Sequence, residues 1–315
     1  MNCLIAESKA RDVYYNLAME QAMAESIPMR SAILFLWQNS DTVVIGRHQN
    51  PYKECDLAAM RKDNIALARR PSGGGAVFHD DKNLNFSFIY DKRDYDPERN
   101  YGIIINALRA LGISAEKSGR NDILTQGKKF SGNAFYRAGG ASVHHGTIMI
   151  GVNMARLARY LNASALKLAS KGVDSVSSRV INLSALMPGL SAWQVKESIK
   201  QAFLACHDQT EFLAPEVDFG RLTAIKSKIE DADYIMGKKY NFNRQAAFRF
   251  PEGEIAVTID ENNAIEIYSD FLEADIIALA KERLAGGLSL SGKGLPQREN
   301  EVLDKIEELI REAQK

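Results

Sequence analysis

The chain has 315 residues, 45% hydrophobic and 25% charged, a composition that supports a buried core and excludes a disordered or fibrous chain. Forty basic residues balance forty acidic ones, which argues against a nucleic-acid or anionic-membrane partner. No run approaches the ~18 apolar residues of a membrane span. Glu7 breaks the first apolar run, and three cysteines without metal-type spacing (Cys3, Cys55, Cys206) fit a reducing cytoplasm.

In chain order, Val13, Leu17 and Ala18 recur at helical spacing and predict a helix over 13–24. Two apolar runs, 33–37 and 42–45, flank Asn39-Ser40-Asp41 and predict a strand hairpin. A short helix over 54–62 and a strand over 65–68 follow. Leu84, Phe86, Phe88 and Tyr90 alternate with Asn85, Ser87 and Ile89, the pattern of a half-buried strand. Residues 103–111 read as a helix stopped by Gly112. Strands at 123–125 and 129–131 flank a Gln126-Gly127 turn, and 142–152 is a strand interrupted at Gly146. The helix over 193–206 places Val195, Ile199, Ala202 and Phe203 on one face. The pattern changes near residue 243, where strands at 255–259 and 265–267 precede helices over 274–284 and 300–313. That block predicts a small α+β unit behind a larger one.

The chemistry concentrates in Arg69-Arg70-Pro71-Ser72-Gly73-Gly74-Gly75-Ala76-Val77-Phe78-His79-Asp80. Three successive glycines are entropically costly and suit a backbone with special dihedrals or close neighbours. Such a loop can present N–H groups to an anion, with arginines as forked donors beside it; a tight turn with solvent-facing arginines is the alternative. It is neither a Walker loop, having no lysine after the glycines, nor a dinucleotide fingerprint. In the Ser118–Ile123 and Lys128–Ala134 segments, Lys129 among Gly, Ser and Asn can aim an ammonium at a phosphoryl or carboxylate oxygen, or stay a solvated hairpin lysine. His144 and His145 are adjacent on a strand, so they face opposite ways and do not share a metal. The 170–180 segment reads as a mobile loop whose Lys171 and Arg179 could close over a phosphate.

Taken together, these segments resemble the lipoate–protein ligase family, which is related to the biotin protein ligases. Residues 32–80 follow its pattern almost continuously, and the GRNDI, KKFSGNAF, HHGT and KGVDSVSSRV stretches come in the family's order. The resemblance implies an α+β fold: a large catalytic domain over 1–242, with mixed β-sheets flanked by helices, and a small C-terminal α+β domain over 246–315. It implies that lipoate and ATP, with Mg²⁺, form lipoyl-AMP and pyrophosphate. The lipoyl group then passes to a lysine of lipoyl domains of 2-oxoacid dehydrogenase complexes or of the glycine-cleavage H protein. Carried over by motif, Lys129 is the essential lysine. Arg70, Ser72, Gly73, Gly74, Gly75, Ala76, Val77, Phe78, His79, Asn121, Asp122, His145, Lys171 and Val180 line the ATP and lipoyl-adenylate site, and Asp122 reaches Mg²⁺ through the phosphates. A cytoplasmic monomer without nucleic-acid or membrane partners is expected. Lys239–Arg244 departs from the family's Trp- and Gly-containing junction, which leaves the docking of the small domain open. A transferase needing preformed lipoyl-nucleotide, a cysteine-dependent acyl transferase and a noncatalytic carrier-binding module are the alternatives.

Overall fold

The computed structural model describes residues 1–119, 121–162, 179–209, 213–237, 244–292 and 294–314. A seven-stranded sheet is ordered β1-β2-β6-β10-β9-β8-β7. Its strands are, in that order, Asn2–Glu7, Ser31–Trp37, Asn83–Asp91, Ala141–Met149, Lys128–Ala138, Asp122–Thr125 and Glu116–Ser118. β1 runs parallel to β2, and the other neighbours are antiparallel. A second sheet, β4-β3-β5, is built from Ala66–Arg69, Thr42–Ile45 and Val77–His79. Here β3 is parallel to β4 and antiparallel to β5.

Helices α1 (Val13–Glu25), α2 (Pro51–Glu54), α3 (Leu57–Lys62), α4 (Pro97–Ala110), α5 (Met154–Tyr160), α6 (Ala192–Cys206), α7 (Phe219–Glu230) and α8 (Ala232–Met236) surround the sheets. Their starts are chemically marked: the Asp12 carboxylate accepts from the N–H groups of Tyr14 and Tyr15, and Asp96 caps α4 ahead of Pro97. One face of the large sheet puts Leu34, Phe86 and Phe88 against Ile104, Leu108, Ile199 and Phe203 of α4 and α6. The other puts Ile33, Phe35 and Val143 against Leu17, Met23, Leu222 and Ile225 of α1 and α7. Each such side chain contributes about 1.5–3 kcal/mol on burial.

Several expectations are corrected. The runs at 33–37 and 42–45 are strands but no hairpin, because β2 pairs with β1 and β6 while β3 belongs to the second sheet. Both are buried at every position, so each needs cover on two faces and cannot lie as an exposed ribbon. β6 is likewise buried throughout rather than half-buried: its polar Asn85 and Ser87 face a polar interior, not solvent. β10 runs through Gly146 unbroken, since the Phe86 ring stands 2.5 Å from where a Cβ would be. The 54–62 helix is two short ones divided at Cys55, which bridges to Leu161.

The C-terminal segment builds its own core. Strands β11 (Arg244–Phe250), β12 (Gly253–Ile259) and β13 (Ile265–Ser269) form an antiparallel sheet. Helices α9 (Ala274–Ala285) and α10 (Gln297–Ala313) pack on it through Ile277, Val302, Ile306 and Leu309. Its docking on the rest of the chain is explicit. Ser269 N–H donates to the His48 carbonyl at 2.9 Å, and the His48 ring donates through Nε2 to the Ala274 carbonyl at 2.9 Å. Gly74 N–H donates to the Phe271 carbonyl at 2.9 Å.

Candidate functional site

The triple-glycine loop joins β4 to β5 and is shaped from beneath by two buried arginines. Arg69 donates to the carbonyls of Gly46, Arg47 and Gln49 at 3.1, 3.0 and 2.8 Å, and to those of Tyr234 and Ile235 on α8. Arg70 donates to the carbonyls of Val44, Gly73 and Gly75 at 3.1, 2.7 and 2.8 Å and to Ser72 Oγ at 3.0 Å. Neither guanidinium faces solvent; both are consumed in holding the backbone. Burial pulls the Arg70 guanidinium down to about 10, with Glu20 opposing the shift, so it stays charged at neutral pH. Gly73 and Gly74 are required by their surroundings and backbone. A Cβ on Gly73 would stand 2.0 Å from the Phe271 carbonyl oxygen, and Gly74 has φ +88°. Gly46, beside them, has no room for a Cβ either, which would lie 2.2 Å from the Gly74 oxygen.

Lys129 enters from β9. The β8–β9 register shifts between Ile123 and Leu124, which oppose Ser131 and Lys129, leaving Phe130 as an extra residue. Phe130 packs into the α4 side of the sheet. In an unbroken strand Lys129 and Gly132 would face opposite ways; the bulge brings them together, with Lys129 Nζ 2.9 Å from where a Gly132 Cβ would stand. The ammonium pairs with Asp122 Oδ1 at 2.6 Å, about one-third exposed. The glycine loop crosses the same strand one step on: the Cβ of Ala134 is 4.0 Å from the Cβ position of Gly74. Gly132 and Ala134 share a face and lie ~7 Å apart along the strand. A cation therefore stands on the same strand face as the glycine loop, about one strand step along.

The remaining candidates take different places. Asn121 and Asn133 exchange side-chain amide bonds with each other's carbonyls at 2.9 and 3.0 Å, fixing the turn before Asp122. Val180 bridges Lys129, and Ile181 N–H donates to the Lys129 carbonyl at 2.9 Å. Lys171, the 163–178 segment and Arg120 lie outside the described residues. His144 and His145 do face opposite ways. His144 sits among the rings of Phe86, Phe88, Tyr101 and Phe135, and burial drives its pKa far down. His145 turns to Ser72 Oγ at 2.7 Å and to the Glu20 carboxylate at 3.0 Å. His79 is held neutral by burial beside Arg70, near 3, and packs edge-on against Trp37. Its Nδ1 accepts from the Asn39 amide at 3.1 Å.

Sequence reasoning missed Glu20. A signal existed, because position 20 shares the buried face of α1 with Val13, Asn16, Leu17 and Ala24, where a carboxylate needs partners. Cys55 is buried and its thiol is pushed up to about 12, which removes it as a nucleophile.

Known proteins resemble this chain in sequence and fold. Residues 12–204 match the family model described as the lipoyl protein ligase A/B catalytic domain. A lipoate-protein ligase A of Psychrobacter cryohalolentis is 40% identical over 299 residues, covering 90% of this chain and 88% of the relative. A Plasmodium falciparum protein solved with lipoate, LipL1, superposes with a TM-score of 0.82 at 24% identity, covering 97% of this chain and 99% of the other. A bipartite lipoate protein ligase of Thermoplasma acidophilum, described with its E2 lipoyl domain, has a TM-score of 0.65 at 26% identity, over 76% and 99% of the two chains. The α+β architecture with its C-terminal unit is thus the lipoate-ligase fold, and the chain belongs to the lipoyl protein ligase A/B family of ligases.

Proposed function

We propose that the chain activates lipoate with ATP to lipoyl-AMP and passes the lipoyl group to a lysine of lipoyl domains, those of 2-oxoacid dehydrogenase E2 subunits and the glycine-cleavage H protein. The observation that carries this reading is the Lys129 ammonium standing one strand step from the glycine loop. In the first step a lipoate carboxylate oxygen attacks the α-phosphorus and pyrophosphate departs. Lys129 offsets the charge that accumulates there, and nearby loop N–H groups add fixed dipoles. In the second step the acceptor amine attacks the acyl carbon and AMP leaves with the bonding pair. The mixed anhydride must be kept from water between the steps, and the Phe271–Leu272 backbone already covers the loop. Val77 and Phe78 of β5 and Val44 of β3 supply apolar wall for the acyl chain.

Among the described residues no group of three or more His, Cys, Asp or Glu is placed to hold a metal. Asp122, already paired with Lys129, fits a Mg²⁺ ion carried in on the triphosphate, where it would supply charge neutralisation. Residues 1–242 would form the catalytic domain and 246–315 the accessory domain of a monomer. Among the described residues no helix is long and apolar enough to cross a membrane, and the three cysteines are free. Both facts support our assignment to the cytoplasm.

The test mixes pure protein, ATP, Mg²⁺, lipoate and an apo lipoyl domain and weighs the domain. A lipoyl mass gain that requires ATP is expected. A gain only from synthetic lipoyl-AMP would instead establish the transfer-only reading, and no gain from either would leave a noncatalytic binding module.

A further inference from the structure

A chain of buried hydrogen bonds runs from the glycine loop to the centre of the molecule. Glu20 on α1 is fully buried, and its carboxylate accepts from the hydroxyls of Tyr136 at 3.1 Å and Ser87 and from His145 Nδ1 at 3.0 Å. A carboxylate beside Nδ1 requires the proton on that nitrogen. In the neutral ring Nε2 is then the acceptor, and among the described residues its hydrogen-bond partner is the Ser72 hydroxyl at 2.7 Å, which donates. Ser72 Oγ in turn accepts from Arg70 Nε at 3.0 Å. Every proton along Arg70, Ser72, His145 and Glu20 therefore points toward Glu20. The chain ends in one buried cation and one buried anion, which accounts for both charges lying out of water.

We propose that Glu20 is a positioning residue for the ligase site, fixing the glycine loop through His145 and Ser72. The inference rests on the proposed ligase reading and extends it. The other N–H groups of Arg70 clamp the carbonyls of Val44, Gly73 and Gly75, so any turn of the guanidinium moves the loop that covers Ala134. Direction is transmitted by tautomer: reversing His145 removes the acceptor of the Ser72 hydroxyl. Serine, histidine and carboxylate also match the roles of a nucleophilic triad. Here, however, Ser72 is fully buried and its oxygen is engaged by Arg70, leaving no approach for an acyl carbon.

The first measurement needs no variant: nitrogen-15 NMR of the wild-type protein should show His145 as the Nδ1–H tautomer. An Nε2–H tautomer overturns the proposal. Next, Glu20→Gln should lower kcat of ATP–pyrophosphate exchange about 10- to 100-fold, the scale of a ~1 Å misplacement, with the KM for the acceptor domain unchanged. Glu20→Gln combined with Ser72→Ala should be no slower than the slower single variant, since both cut one chain. Additive losses, or wild-type kcat in a folded Glu20→Gln protein, refute it. Labelling of Ser72 by a fluorophosphonate would reassign it as a nucleophile. If the wild-type protein itself shows no ATP-dependent acylation, the ligase reading fails, while the tautomer still decides whether the chain of protons runs as described.

Discussion

Gly73→Ala is the sharpest test of how the accessory domain meets the loop. The added Cβ would lie 2.0 Å from the Phe271 oxygen and 2.7 Å from that of Leu272, both backbone atoms. The two segments must separate by at least about 1 Å to reach any tolerated contact. Overpacking on this scale costs about 1–3 kcal/mol, so docking should weaken about 5- to 150-fold. The atoms the added Cβ meets are backbone oxygens at the contact, although the Phe271 ring itself belongs to the C-terminal core, so local exchange is the readout. Hydrogen exchange at the Gly74 amide, now donated to Phe271, should accelerate by the same factor, and adenylate formation should fall with it. Gly102→Ala is the control: Gly102 lies within α4 with open space at its Cβ, and alanine should stabilise by about 0.5–1 kcal/mol. Unchanged Gly74 exchange in Gly73→Ala would refute the argument.

Lys129→Ala should lose activity by about 100-fold or more while its denaturation midpoint moves little, since its partly exposed ion pair with Asp122 adds little to stability; an active, folded variant would remove the residue from the mechanism. Arg69→Met leaves carbonyls of the 46–49 turn and of α8 without donors and should cost about 3 kcal/mol in urea unfolding; a neutral effect would show that water replaces the guanidinium. His48 and His79 are held near 3 by burial, below the unfolded value of 6.5. The unfolded chain therefore binds more protons between those values. Stability should be full above pH 6.5 and fall as pH drops toward 3, by up to about 1.4 kcal/mol per pH unit for each histidine. His48→Gln, which keeps a donor for the Ala274 carbonyl, should remove one proton from that slope; an unchanged slope would contradict it.

What the sequence revealed depended on whether the cause was local. The 193–206 helix and the Gln126-Gly127 turn, with φ of +51° and +72°, were legible, whereas the helix expected over 103–111 starts at Pro97, where the Asp96 cap signal was passed over. The glycine loop was legible too, because three glycines in a row have few explanations. The partner that demands Gly73 was not: it is a backbone carbonyl nearly two hundred residues away, invisible in side-chain identity. Arg69 and Arg70 stood out by their charge, but their hydrogen bonds to carbonyls of the chain and, for Arg70, to the Ser72 hydroxyl could not be read from the sequence. The false hairpin came from proximity in sequence, since Asn39-Ser40-Asp41 turns the chain between two sheets rather than along one. Strands β1 and β11 and helix α7 went unnoticed because their short apolar patterns are ambiguous alone and gain burial from neighbours distant in sequence.

The supernumerary Phe130 has an evolutionary consequence. A chain shortened by that one amino acid would pleat regularly and still hold Lys129 on the face of Gly132, two places away, but it would lose the aromatic ring that the extra residue sends into the core on the α4 side. Loss of Phe130 in a related chain should therefore show first as lost stability, with the ammonium still on its face of the strand.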